Sequence, residues 1–183
     1  MAESKKKIGT VLYTQADITK RAKEICEQID KDYEGEEVIL LGTLKGSIMW
    51  LTDIMKYTTI ETPIDFITAS SYGSSTTSSG VVKITYEPEM NLYNKNILII
   101  EDIVDTGNTL KYLTAKLEER GPKSIKVCTM LNKQARRTTD FKADYVGFEV
   151  EDLFIIGYGL DYDQRFRGLP YISYLDENDV ESL

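Results

Sequence analysis

Two short runs, EVILLG at 37–42 and NILII at 96–100, are apolar almost without interruption, and SIKVCTML at 124–131 reads as another strand. A strand with one wet face alternates polar and apolar residues, so an unbroken apolar run implies a strand covered on both faces. Helical patterns separate these runs. From Thr14 to about Tyr33, the residues Ile18, Ala22, Ile25 and Ile29 share one face, with Thr14 as the expected N-cap and Gly35 as the stop. SIMWLTDIMKY (47–57) reads as a second helix, and TLKYLTAKLEER (109–120) aligns Leu110, Leu113 and Leu117 before Gly121 and Pro122 end it. Strands alternating with helices demand right-handed crossovers, so the expected class is α/β, with a mostly parallel central sheet flanked by helices. Such sheets take ligands beyond the carboxyl ends of their strands, here the loops after Gly42, Ile100 and Leu131.

The remaining segments fit one domain spanning 1–183. IDFITASSY (64–72) and VVKITYE (81–87) have strand composition, and GSSTTSSG between them reads as a mobile loop. DYVGFEV (144–150) and FIIGYG (154–159) read as short strands, followed by the turn-rich DYDQRFRGLP (161–170) and an acidic tail. No internal repeat is visible. No apolar run approaches the roughly 18 residues a membrane helix needs, and the N-terminal stretch lacks a signal-peptide pattern. The only cysteines, Cys26 and Cys128, lack metal-ligand spacing and read as reduced core residues, which suits a cytoplasmic protein. A net charge of -8 disfavours binding to a nucleic-acid backbone. Histidine is absent, so any proton or metal chemistry must use carboxylates.

That requirement singles out ILIIEDIVDTGNTL at 97–110. Read blandly, Asp, Thr and Asn cap a helix there and Gly relieves the turn. A cap needs one such residue, however, whereas DTGNT supplies several around a glycine, so that backbone N–H groups can converge on an anion at the helix's positive end. Caps also leave Glu101 and Asp102 unexplained, because adjacent carboxylates repel unless hydroxyls, a metal ion or bases share the site. A phosphorylated sugar with Mg²⁺ would meet both needs. Two competing phosphate motifs fail: GTLKGS (42–47) has too few residues between its glycines for a Walker loop, and GYGLDY (157–162) puts Tyr162 where a dinucleotide fingerprint needs glycine.

EDIVDTGNTL resembles the phosphoribosyl-pyrophosphate signature of the type I phosphoribosyltransferases. LKGS at 44–47, SSYGSSTTSSG at 70–80, MLNK at 130–133 and FIIGYGLDYDQRFRGLPYI at 154–172 follow in the family's order, over about residues 8–175. The match is to the members that act on 6-oxopurines. The resemblance implies the type I fold with a small hood over the base site, formed by the N-terminal segment and about 153–175. It also implies a purine-salvage reaction that joins hypoxanthine or guanine to phosphoribosyl pyrophosphate and gives IMP or GMP and pyrophosphate, with Mg²⁺ as cofactor.

Carried over residue by residue, the resemblance puts Glu101 and Asp102 at the ribose hydroxyls and the metal, and Thr106, Gly107, Asn108 and Thr109 around the 5′-phosphate. Asp105 becomes the catalytic proton carrier at purine N7, which a helix N-cap role could accompany. Lys45 and Gly46 would serve pyrophosphate beside a cis Leu44–Lys45 peptide, together with Arg167. Lys133 would read O6, because an ammonium has donors and no acceptor and so suits a carbonyl but not adenine's amino group. Phe154 would stack on the base, Ile155 would offer backbone groups to its edge, and Asp161 would reach the 2-position or assist a second Mg²⁺. Ser71 and Tyr72 would belong to a lid at about 70–81 that keeps water from the activated sugar. The family suggests a homodimer or homotetramer. Two rivals are a regulatory protein that keeps the fold without turnover and a transferase for another base such as xanthine. A complete set of reaction residues argues against the first, and Lys133 with FIIGYGLDY against the second.

Overall fold

The computed structural model describes residues 9–71 and 82–175. Helix α1 (Gln15–Asp32) leads into strand β1 (Val38–Thr43), helix α2 (Ile48–Tyr57), and strands β2 (Ile64–Ser71), β3 (Val82–Tyr86) and β4 (Asn96–Val104). Helix α3 (Asn108–Glu118), strand β5 (Ser124–Lys133), a 3₁₀ turn (Gln134–Arg136) and strands β6 (Tyr145–Val150), β7 (Phe154–Ile156) and β8 (Ser173–Leu175) complete the order. Six strands form one sheet in the order β3-β2-β1-β4-β5-β6, parallel throughout except for the antiparallel β2–β3 pair at one edge. This is the α/β class expected from the apolar runs.

Both faces of the central strands are covered, which is why their sequences do not alternate. Val38 and Leu40 of β1, with Leu98 and Ile100 of β4, pack against Ile18, Ala22, Ile25 and Ile29 of α1 and Trp50 and Ile54 of α2. Their neighbours Ile39, Leu41, Ile97 and Ile99 pack on Leu110, Leu113 and Leu117 of α3. Each such buried side chain contributes roughly 1.5–3 kcal/mol relative to exposure, so the two layers together fix the position of every central strand. The start of α1 is a capping box, with the Asp17 N–H on Thr14 Oγ1 at 3.2 Å and the Thr14 N–H on Asp17 Oδ2 at 3.0 Å.

Several boundaries differ from expectation. β4 and β5 do not stop at Ile100 and Leu131, because parallel pairing continues through Ile103–Leu131 and Val104–Asn132. Glu101 and Asp102 are therefore strand residues, and only Asp105 belongs to the loop. Asp105 is not the N-cap of α3; Gly107 is, at φ +84°. FIIGYG is a strand only as far as Ile156, because Gly157, Tyr158 and Gly159 take φ of +93°, +48° and +100°, which no strand accommodates. β8 and the 3₁₀ turn have too little sequence pattern to be anticipated.

A second, two-stranded sheet of β7 and β8 lies apart in the pairing scheme. The N-terminal segment joins it: the Gly9 N–H donates to Tyr174 O at 2.8 Å, Leu12 N–H to Ile172 O at 2.9 Å, and Ile172 N–H to Tyr13 O at 3.0 Å. In the main sheet β1 has β2 on one side and β4 on the other, so the chain winds outward in both directions from this pair. That switch point opens a crevice at the carboxyl ends of β1 and β4, the place where parallel sheets bind ligands.

Candidate active site

At the switch point the end of β4 carries Glu101 and Asp102, and the loop after β1 carries the Lys45–Gly46 turn. Glu101 is buried in β4, and Oε1 accepts the Thr43 hydroxyl from β1 at 2.9 Å and the Asp102 N–H at 3.1 Å. Burial first, and then the neighbouring Asp102 charge, hold the Glu101 carboxyl well above the usual carboxylate range. Asp102 accepts the Ile103 N–H at 2.8 Å and lies against Gly46, where a Cβ would collide with its carboxyl group. Glycine at 46 thus allows the turn after β1 to touch the acid of β4. The peptide between Leu44 and Lys45 is cis.

Beyond β4, Asp105 Oδ1 is buried and accepts no hydrogen bond from the described residues. A buried acceptor without a donor is uncommon and suits a group that meets a ligand proton. Thr106, Gly107, Asn108 and Thr109 follow as the turn into α3, with the Asn108 N–H on Thr106 Oγ1 at 3.3 Å. The αL conformation of Gly107 and the close Thr139 hydroxyl leave no room for a side chain there.

The second half of the site comes from other parts of the chain. Lys133, at the end of β5, is 6% exposed; its Nζ donates to Leu153 O at 2.8 Å and sits 3.5 Å from Asp152 Oδ1. This brings the ammonium to the start of β7, where Phe154 keeps an exposed ring, edge-on to Tyr162 at 5.3 Å between centroids. Ile155 is buried in β7, which among the described residues pairs with β8 alone.

Asp161 and Arg167 form an ion pair at 2.7 Å; Asp161 Oδ2 also accepts the Gln164 N–H at 2.8 Å, and Arg167 Nη1 donates to Gly159 O at 2.7 Å. Lys45 Nζ reaches Gln164 Oε1 at 3.3 Å. Gln164 therefore stands between the two cations that the resemblance assigns to pyrophosphate, a place that no local pattern in the sequence marks. Gly159 ties this turn to the other half: its φ of +100° suits glycine, and a Cβ there would strike the Gly46 carbonyl oxygen. Tyr158 adds an anchor by donating to the buried Asp53 of α2, which pairs with Lys56 at 2.7 Å.

Among the described residues no cluster of three or more acidic or thiol ligands exists, so Asp161 is not gathered with Glu101 and Asp102 into one metal cage. Ser71 ends β2, and Tyr72 with the rest of the lid stretch to 81 lies outside the described residues.

This arrangement matches known proteins along most of the chain. A family profile described as the phosphoribosyl transferase domain covers residues 10–163. The chain belongs to that family. It is 43% identical over 175 residues to the hypoxanthine-guanine phosphoribosyltransferase of Bacillus subtilis strain 168, covering 96% of this chain and 97% of that protein. The crystal structure of a hypoxanthine phosphoribosyltransferase from Staphylococcus aureus superposes with a TM-score of 0.90 at 42% identity, covering 93% of each chain. A Trypanosoma cruzi hypoxanthine phosphoribosyltransferase, solved as a mutant in a ternary substrates complex, gives 0.88 at 35% identity over 95% of this chain and 98% of that one. The central parallel sheet with its flanking helices is the type I phosphoribosyltransferase fold.

Proposed function

We propose that the chain is a purine-salvage enzyme that transfers the 5-phosphoribosyl group from phosphoribosyl pyrophosphate to hypoxanthine or guanine, giving IMP or GMP and pyrophosphate. The observation that carries this reading is the meeting of an anion-accepting turn after β4 with a buried, donor-only ammonium at the end of β5. The first suits a sugar phosphate and the second a 6-oxopurine.

In this reading the N–H groups of residues 106–109 and the hydroxyls of Thr106 and Thr109 take the 5′-phosphate, while Glu101 and Asp102 face the ribose hydroxyls. Glu101 and Asp102 fit Mg²⁺, which takes one or two protein carboxylates and fills its shell with substrate oxygens and water; among the described residues no third acid joins them. When bound, the ion would neutralise charge that builds on the departing pyrophosphate. Lys45, Gly46 and Arg167 hold the pyrophosphate, and Arg167 must then exchange its Asp161 partner for it. Asp161 so released is free to meet the base edge or a second ion.

Lys133 donates to purine O6, Phe154 stacks on the ring, and the Ile155 backbone meets the base edge. Asp105, with an acceptor that no described residue satisfies, exchanges the proton at N7 as the glycosidic bond forms. The lid carrying Ser71 and Tyr72 excludes water from the cationic sugar. The enzyme acts in the cytoplasm as a homodimer or homotetramer, states that light scattering separates. Steady-state assays with Mg²⁺, phosphoribosyl pyrophosphate and each of guanine, hypoxanthine, xanthine, adenine and uracil test the reading. Turnover with guanine and hypoxanthine is expected, and failure to form GMP or IMP would refute it.

A further inference from the structure

We infer that Arg137, with Thr138 and Thr139, is a positioning device that sets the phosphate-binding turn from behind. Nothing in the proposed reaction assigns these residues a role, and they contact no substrate group in the reading above. Their contacts are nevertheless concentrated on one target. Arg137 Nε donates to Asp105 O at 3.0 Å and Nη2 to Val104 O at 3.4 Å. The Thr138 N–H donates to Thr106 O at 3.1 Å, and the Thr138 and Thr139 hydroxyls reach the same oxygen at 3.4 and 3.2 Å. The carbonyls of three consecutive residues, 104, 105 and 106, are thus all drawn toward one strap.

The consequence follows from peptide geometry. In a planar trans peptide the C=O and the next residue's N–H point in opposite directions. Holding the carbonyls of Asp105 and Thr106 toward the strap therefore turns the N–H groups of Thr106 and Gly107 away from it, where an anion can collect them. The same bonds fix the backbone of Asp105 and hence the direction from which its free carboxyl oxygen leaves the chain.

The guanidinium is itself held in place, with Nη1 on Phe141 O and Nη2 on Asn132 Oδ1, both at 2.5 Å. Asn132 in turn donates to Glu149 of β6 at 2.9 Å, so the strap is braced against the far side of the sheet. A lysine lacks the planar fork that reaches several carbonyls at once, so it restores the charge but not the geometry. Gly107 fits the same scheme, since a side chain there would strike Thr139 and approach Arg137 Cδ at 3.2 Å.

This inference rests on the proposed phosphate site, and two ligands that differ only in the 5′-phosphate separate the two. GMP and guanosine affinities are measured by calorimetry on the full chain and on Arg137→Gln, Arg137→Lys and Thr139→Ala, with each variant's melting temperature. In the wild type GMP should bind far more tightly than guanosine. Arg137→Gln should cut that preference by about tenfold to a hundredfold, as for loss of charged hydrogen bonds, with guanosine affinity kept. Arg137→Lys should fall between, and Thr139→Ala should lose severalfold. A folded Arg137→Gln that keeps the wild-type preference, or loses both ligands equally, overturns the inference. If Arg137→Gln does not fold, the other two variants decide by the same criterion. No GMP preference in the wild type would instead refute the phosphate site itself.

Discussion

The proposed phosphate end and the proposed base end of this site are built in different ways. The first is nine consecutive residues, 101–109, running from the end of β4 through a turn into α3. The second draws Lys133 from β5, Phe154 and Ile155 from β7, and Asp161 from a turn beyond it. A phosphate has no orientation to read, so main-chain N–H groups at a helix start serve it, and these come in sequence order. A purine edge needs particular groups at particular angles, which side chains and backbone brought from separate segments can supply. The two ends meet where Gly159 approaches the Gly46 carbonyl and where Gln164 spans Lys45 and Arg167.

Substitutions can break this division. The largest effect should come from the one residue of the consecutive run that is proposed to act on the base: Asp105→Asn should lower kcat by about 10²–10⁴ while substrate binding survives, measured by steady-state kinetics. An unchanged kcat would leave Asp105 as a turn residue only. At the base end, Lys133→Ala should lower the preference for guanine over adenine in kcat/KM by roughly 10²-fold, because a buried donor that adenine leaves unpaired is gone. Turnover of guanine should suffer less than in Asp105→Asn, and equal losses would mean the two ends do not divide the work. Gly159→Ala tests the join: forcing a side chain to φ +100° against Gly46 should cost about 1–3 kcal/mol of stability and raise KM for phosphoribosyl pyrophosphate. Thermal melts and kinetics on the same sample read both.

The smallest effect concerns the layer beneath both ends. Burial pushes the Cys26 and Cys128 thiols up to about 12, so the folded chain keeps both protons at pH 8 and should not react with a thiol reagent until it unfolds. The sign is fixed: above the ordinary thiol range of about 8.5 the unfolded chain loses protons that the folded one retains. Stability from these groups therefore falls as pH rises from there toward 12. Rapid labelling of the native protein at pH 8 would contradict their burial.

Legibility followed the same division. The turn after β4, the apolar strands and the three helices among the described residues could be read directly, because strand burial and helical period leave marks within ten residues. Glu101 and Asp102 read as loop residues in the sequence, since charge at the end of an apolar run looks like its end; parallel pairing with β5 carries the strand past them. The cap role offered to Asp105 passed to Gly107, whose αL conformation starts the helix. Arg137 and Gln164 gave no usable signal beyond their place in polar turns, as each acts on residues about 30 or more than 100 positions away.

The order of residues by itself determined which strands are covered on both faces and where helices begin. Those properties depend on neighbours one to four positions apart. Only the folded chain decided that the carbonyls of 104–106 turn toward Arg137, Thr138 and Thr139, that Lys133 lies beside β7, and that Arg167 pairs with Asp161. Those are contacts between segments distant in sequence or set by positive-φ turns. Their partners are chosen by strand order and close approach, which no local pattern encodes.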